Sequence, residues 1–185
     1  DAAIACVDQG GKRNGAMTIT LIDWHIDFLE FIQCRDNYTQ NGIRLKQANI
    51  CAYLSSEFMR RVRSNGKWTL FCPSRAVMDI DGEEVKLLGQ HSHYFDKYYP
   101  IFEAEALRRD QEYNDLDSYV HSLEKTVNSG SATENQKSEY HIMVMKRTKM
   151  RKNLIVHKVV QAVDVYDKLC DMHIKSSMPY IVYRD

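Results

Sequence analysis

Lys12 and Arg13 stand side by side inside Asp8-Gln9-Gly10-Gly11-Lys12-Arg13-Asn14-Gly15-Ala16, where three of the chain's eight glycines fall within six residues. Glycine tolerates positive φ and, lacking a Cβ, lets a ligand approach the backbone. Gly10-Gly11 and Asn14-Gly15 therefore read as two tight turns flanking a displayed pair of cations. The chemistry this suits is contact with a ligand, not bond-making. The same composition also describes a plain surface turn with solvated cations, and a Gly-rich loop alone does not separate the two.

Other residue types that could do chemistry read more simply as structure. His25 and Glu30 could form an acid/base pair, but a base needs a reacting partner in reach, and a histidine beside Trp24 reads as a packed, hydrogen-bonded residue. Cys72 has no nearby residue that would lower its thiol pKa and no second cysteine at a pairing spacing. The five cysteines, at positions 6, 34, 51, 72 and 170, contain no C-x-x-C pair, which argues against a disulfide scaffold and against a zinc site. His91-Ser92-His93 is the one metal-like spacing, and two alternating histidines fall short of the three or four ligands zinc takes. Lys146-Arg147-Thr148-Lys149-Met150-Arg151-Lys152 carries five cations in seven residues. Without interleaved aromatics for base stacking it reads as a solvated face. No catalytic residue and no metal ligand is assigned.

Stepping outward, 185 residues with 44% hydrophobic and 10% aromatic content suffice for one domain with a core. Lysine plus arginine, 25, equals aspartate plus glutamate, 25, so composition gives no support for a nucleic-acid partner. No apolar run approaches membrane-spanning length and the N-terminus lacks a secretion signal, so a soluble, cytoplasmic protein is expected. The chain does not start with methionine and closes on what reads as a core strand, so a longer parent is expected.

Met17–Ile22, largely β-branched, is a strand fed directly by the loop. Asp23 is expected to cap a helix on which Trp24, Phe28, Phe31 and Ile32 recur. Arg35–Gly42 is a loop, and Ala48–Leu54 is a buried strand or helix core. Ser55 or Ser56 caps a helix with Phe58, Met59 and Val62 inward, stopped by Asn65-Gly66. Trp68–Phe71 is a strand closed by Cys72-Pro73. Residues 74–99 read as irregular, with Gly82 and Gly89 as breakers. A long helix is expected from Pro100 in its first turn, with Phe102, Ala106, Tyr113, Leu116, Val120, Leu123 and Val127 as its stripe. Asn128–Thr133 is a flexible connection to an insertion-like segment. Asn153 is expected to cap a helix with Val156, Val159, Val160, Val163, Tyr166 and Cys170 inward; Ser176–Pro179 breaks it before the strand Tyr180–Tyr183. Strands alternating with helices imply an α/β fold with parallel pairing through helical crossovers.

The order Val7-Asp8-Gln9-Gly10-Gly11-Lys12-Arg13-Asn14-Gly15-Ala16, a strand, and then Trp24-His25-Ile26-Asp27-Phe28-Leu29-Glu30-Phe31-Ile32 resembles the large (α) subunit of class I ribonucleotide reductase. Lys158-Val159-Val160 and Met178-Pro179-Tyr180-Ile181-Val182-Tyr183-Arg184-Asp185 continue the resemblance. It is close over 1–73 and 154–185; 74–153 looks divergent or inserted. The resemblance implies consecutive strand-helix units of a ten-stranded α/β barrel, incomplete alone, within an enzyme that reduces ribonucleotides to deoxyribonucleotides for DNA synthesis. It implies that Asp8–Ala16 is a specificity loop between an effector nucleotide at a dimer interface and the substrate. Gln9 and Arg13 match positions reaching toward the substrate base and Asp8 a position facing the effector. Gly10, Gly11 and Lys12 supply mobility and backbone contacts, and Gly15 and Ala16 complete the loop.

The family's radical cysteine, redox cysteine pair, asparagine and glutamate have no matching motifs here, so a regulatory and scaffold segment is expected, inactive by itself. The implied parent takes a ribonucleoside diphosphate substrate and deoxynucleotide or ATP effectors. It also implies a dimer and a small radical-generating subunit that holds the radical cofactor, with no cofactor on this segment. The sequence departs from the family at Ile22-Asp23, where an acidic residue and proline are common, and at Ser176-Ser177-Met178, where a Gly-Thr pair commonly precedes Pro179. Two alternatives remain: a fragment of the related cobalamin-dependent reductase, and a non-catalytic nucleotide-binding or interaction module derived from the fold.

Overall fold

The computed structural model describes residues 4, 16–35, 45, 48–89, 92–155 and 157–183. Three parallel strands carry the part of the chain adjoining the glycine-rich loop. β1 (Thr18–Ile22) pairs with β2 (Asn49–Leu54), and β2 with β7 (Tyr180–Tyr183), in register Thr18↔Asn49 and Cys51↔Tyr180. The parallel register puts the entry points of all three strands at one end of the sheet. β2, flanked on both sides, is the most buried of the three, with Ile50, Ala52 and Leu54 wholly inaccessible. This resolves Ala48–Leu54 as a strand.

The crossovers are short helices, as parallel pairing requires. They are α1 (Phe28–Gln33), α2 (Ser56–Arg63) and α5 (Ala162–Ser176), with α5 packed against both others. Ser55 is the cap of α2, its Oγ accepting from Phe58 N at 3.2 Å, and Asn65 takes the left-handed conformation (φ 52°) that ends the helix. Asp23, expected as the cap of α1, does something else. It is 1% exposed, and its carboxylate accepts from Ser55 N at 2.5 Å and Ser55 Oγ at 2.8 Å, so it ties the end of β1 to the end of β2. Turns over 23–27 follow, and α1 begins only at Phe28, four residues later than expected.

The pairing is not parallel throughout. β3 (Lys67–Phe71) pairs antiparallel with β6 (His157–Gln161), from Lys67↔Gln161 to Phe71↔His157. β6 replaces the first turns of the helix expected after Asn153. The β-branched pair Val159-Val160 finds a ladder on β3, and α5 starts at Ala162 with Ala162, Val165, Leu169 and Met172 as its buried side. Val163, Tyr166 and Cys170, expected inward, are only partly buried.

Between β3 and β6 the chain makes a long excursion, and 74–99 is not irregular. β4 (Val77–Ile80) and β5 (Glu83–Lys86) form a hairpin around Asp81 (φ 57°) and Gly82 (φ 83°), the two positive φ values a type I′ turn demands. α3 (Ser92–Asn128) begins eight residues before Pro100, which lies inside the helix instead of in its first turn. Phe95 and Tyr99 carry the apolar stripe of Phe102 and Ala106 upstream, and that packing holds the helix across the proline. After Ser129-Gly130 the chain turns back into α4 (Glu134–Asn153), which lies along α3. Thr133 and Gln136 close a reciprocal capping box at its start. The basic run is thus the last two turns of a helix with no buried residue.

The core is aromatic. Trp68 stacks on Tyr99 at 4.3 Å between ring centroids, and Phe58 meets Trp68 edge-on at 5.2 Å, joining α2, β3 and α3. The described residues form a mixed α/β arrangement of three small sheets that do not close into a barrel. No described helix is long and apolar enough to cross a membrane.

Candidate functional site

Of the residues assigned to the loop, Asp8, Gln9, Gly10, Gly11, Lys12, Arg13 and Gly15 lie outside the described residues. Ala16 is described: it is exposed and leads straight into β1. The frame that receives the loop is therefore what the structure defines. Asn49 N donates to Met17 O at 2.8 Å, adding a rung below the β1–β2 ladder and fixing the residue next to the loop. One residue before Asn49, Ala48 O accepts from the Arg35 guanidinium at 2.6 Å, binding the end of α1 to the same edge.

The third entry point is the turn before β7. Met178-Pro179 is a cis peptide, and Ser177 takes a left-handed conformation (φ 57°). Ser176 Oγ lies within donating reach of Met172 O and Met178 O, at 2.8 and 3.0 Å, and His173 Nδ1 lies 2.9 Å from Pro179 O. Serine and histidine side chains thus fold back on the backbone of this turn. These three entries, at 16–17, 48–49 and 178–180, form one rim. The rim carries partly exposed apolar side chains, Met17 at 43% and Tyr180 at 48%. Such a rim offers shape and backbone groups to a ligand.

Elsewhere the candidates sort themselves by their partners. His25 Nδ1 accepts from Asp27 N at 3.1 Å, a local bond that holds the ring in the turn after β1 and fits the packed reading. Cys72 Sγ lies 3.2 Å from Ser74 Oγ. Burial pushes the Cys34 thiol up, with Arg35 opposing it, so that thiol stays protonated at neutral pH. Among the described residues no group of three or more His, Cys, Asp or Glu could hold a metal. His91 is not described.

One polar cluster was missed by sequence reasoning. Glu57 bridges Arg60 and Arg61 at 2.9 and 2.8 Å; Arg60 reaches Asp96 at 2.7 Å and Arg61 reaches Glu103 at 2.9 Å. Glu103 in turn accepts from Thr69 Oγ1 at 2.7 Å. The cluster locks α3 onto α2 and β3, and its members face one another, not a cavity. The i, i+3 and i, i+4 spacing from Glu57 to Arg60 and Arg61 was visible in the sequence; the partners on α3 were not.

The family model described as the ribonucleotide reductase barrel domain matches residues 1–185, the entire chain. The chain belongs to the ribonucleotide reductase barrel-domain family. The ribonucleoside-diphosphate reductase large chain of Neurospora crassa is 40% identical over 85 residues, 44% of this chain and 9% of the relative. The large subunit of Arabidopsis thaliana is 41% identical over 85 residues, covering 44% and 10%. Subunit alpha of Chlamydia trachomatis is 38% identical over 90 residues, covering 48% and 8%. These alignments span about a tenth of the relatives' own length. Membership in the barrel family fits the parallel β1-β2-β7 sheet and its helical crossovers, which are strand-helix units of an open piece and not a closed barrel.

Proposed function

We propose that the chain is a segment of a cytoplasmic ribonucleoside-diphosphate reductase large subunit and that Asp8–Ala16 is its substrate-specificity loop. The family match over all 185 residues is the observation that carries this reading. The rim described above supports it: a glycine-hinged loop needs a rigid base, and Met17, Asn49 and Arg35 build one. In this reading Gln9 and Arg13 reach the substrate base, Asp8 faces a deoxynucleotide or ATP effector, and Gly10, Gly11 and Lys12 let the loop change shape between effectors. Residues 1–73 and 154–185 supply the barrel units, and 74–153 is an addition to them. The parent reduces ribonucleoside diphosphates, dimerises, and draws its radical from a small partner subunit. The segment itself carries no catalytic cysteine and, purified alone, gives no turnover.

The test is substrate competition among the four ribonucleotides, with and without each effector, in the complete enzyme. Coupling free energies of about 1–3 kcal/mol are usual between two such sites, so Arg13→Ala should blunt the effector's influence on substrate preference by roughly 5- to 150-fold. Gln9→Ala should act in the same direction, and Arg151→Ala, on α4, should not. An Arg13→Ala enzyme with parental selectivity overturns the assignment.

A further inference from the structure

At the base of the α3–α4 hairpin, where both helices meet the start of β4, lies a cavity of about 480 Å³. That volume is in the range of small-molecule sites, roughly 300–1,000 Å³. Four cations line it: Arg75 from the turn after β3, Arg108 and Arg109 from α3, and Lys152 from the end of α4. Val77, Met150 and Leu154 give it an apolar wall. We propose that this cavity binds a compact phosphorylated small molecule, its phosphate held among Arg108, Lys152, Arg75 and Arg109 and its apolar part against Val77, Met150 and Leu154.

The charge balance favours an anion. Glu105 accepts from Arg108 at 2.7 and 2.8 Å and from Arg109 at 2.7 Å, and Glu112, which also lines the cavity, bonds Arg108. Against the four cations these are two carboxylates, leaving two positive charges uncompensated. Neither Arg75 nor Lys152 has a carboxylate partner among the described residues.

Part of the cationic chemistry is structural. Arg75 donates to Lys152 O at 2.8 Å and Arg109 to Asn153 O at 3.1 Å, capping the last carbonyls of α4. A guanidinium carries five N–H donors in a fixed fork, so one bond to a carbonyl leaves others for phosphate oxygens. The same bonds hold the two guanidinium groups in place on either side of the helix end, so little side-chain freedom is lost when a ligand arrives. The apolar wall distinguishes the ligand class. Inorganic phosphate would use only the cations, whereas a phosphate ester would use both surfaces.

The test is calorimetric titration of the intact protein with inorganic phosphate and with phenyl phosphate at low ionic strength. One saturable site is expected, with phenyl phosphate the tighter ligand. Removing two charge-assisted donors, as Arg108→Gln with Lys152→Gln, should weaken binding about tenfold or more. Glu112→Gln removes a competing anion and should tighten it. This second variant keeps the test decisive if the double variant fails to fold. Absence of a saturable site, equal affinity for the two phosphates, a double variant that binds like the parent, or an E112Q protein that binds no tighter would each overturn the proposal.

Discussion

The Tyr99 hydroxyl accepts from Thr69 N at 2.7 Å and donates to Thr69 O at 2.8 Å. One side chain from a helix thus supplies both hydrogen bonds that a neighbouring strand would give Thr69, while Phe71 two residues on takes its own from Trp24 O and Ile26 N. Burial, reinforced by the nearby Glu103, pushes the Tyr99 hydroxyl well above its ordinary pKa, so it remains the neutral donor this arrangement needs. Tyr99→Phe keeps the stacking on Trp68 and leaves two buried backbone groups unsatisfied, which costs about 1–3 kcal/mol. Chemical denaturation should show that loss with no change in spectroscopic helix content.

Glu105 gives the hairpin base a pH dependence. Hydrogen bonds from Arg108 and then Arg109 lower its carboxyl from the usual 4.5 to about 2, against a partial burial that acts the other way. A pKa lowered in the folded state contributes stability above the unfolded value and loses it as protons bind. The contribution is therefore complete above pH 4.5 and disappears as the pH falls toward 2. Glu105 keeps 21% of its side chain exposed and Arg108 54%, so solvent screening makes the effect modest. Thermal melting of Glu105→Gln across this window should show a shallower decline than the parent.

The hairpin can be removed only as a pair of arms. Arg109 meets the end of α4 at Asn153, while α3 runs on to Asn128; 128 − 109 is 19 residues, or about 28 Å of helix. Cutting out Thr133–Arg151 alone would ask residues 129–132 to span that distance, which strips the outer half of α3. Replacing Tyr113–Arg147 with a short Gly/Ser turn removes both arms together, including the cross-hairpin bonds Tyr119–Glu139 and Arg147–Asp117. The two-arm excision should keep a cooperative transition with a midpoint lowered by under about 8 °C, given about 2–4 °C per kcal/mol for a chain of this size. The one-arm excision should lose more, and differential scanning calorimetry separates them.

What could be read from the sequence was whatever local pattern alone specifies. β1, β3 and β7 are runs of apolar and β-branched residues, and Ser55 with Asn65-Gly66 brackets α2 by its caps. The misreadings have physical causes. The Val156, Val159, Val160 and Val163 spacing imitates one continuous helix, but pairing with β3 makes His157–Gln161 a strand, and the helix starts only at Ala162. α4 has its apolar residues Ile142, Met143, Val144 and Met145 consecutive, spread round the helix with no apolar period, and the Thr133–Gln136 capping box is its clearest local signal. The Asp81-Gly82 turn was a usable hairpin signal, masked by the acidic residues around it. Asp23 carried a cap signal and bonded Ser55 instead, 32 residues on, a partner no local pattern names. The motif at Asp8–Ala16 stood out at once, whereas the rim at 16–17, 48–49 and 178–180 joins residues far apart in the chain.

The register Cys51↔Tyr180 means that β2 receives its second neighbour from a strand 129 residues later. A ribosome adding about 5–20 residues per second needs roughly 6–26 s to deliver it. Throughout that interval the nascent chain holds a half-paired strand bearing Ile50, Cys51 and Ala52, side chains that are buried in the complete fold. The α3–α4 hairpin, made of contacts between chain neighbours, can form within microseconds of its emergence. Biosynthesis of this segment is therefore timed by its last strand, and the open side of β2 is where a chaperone has the longest opportunity to act.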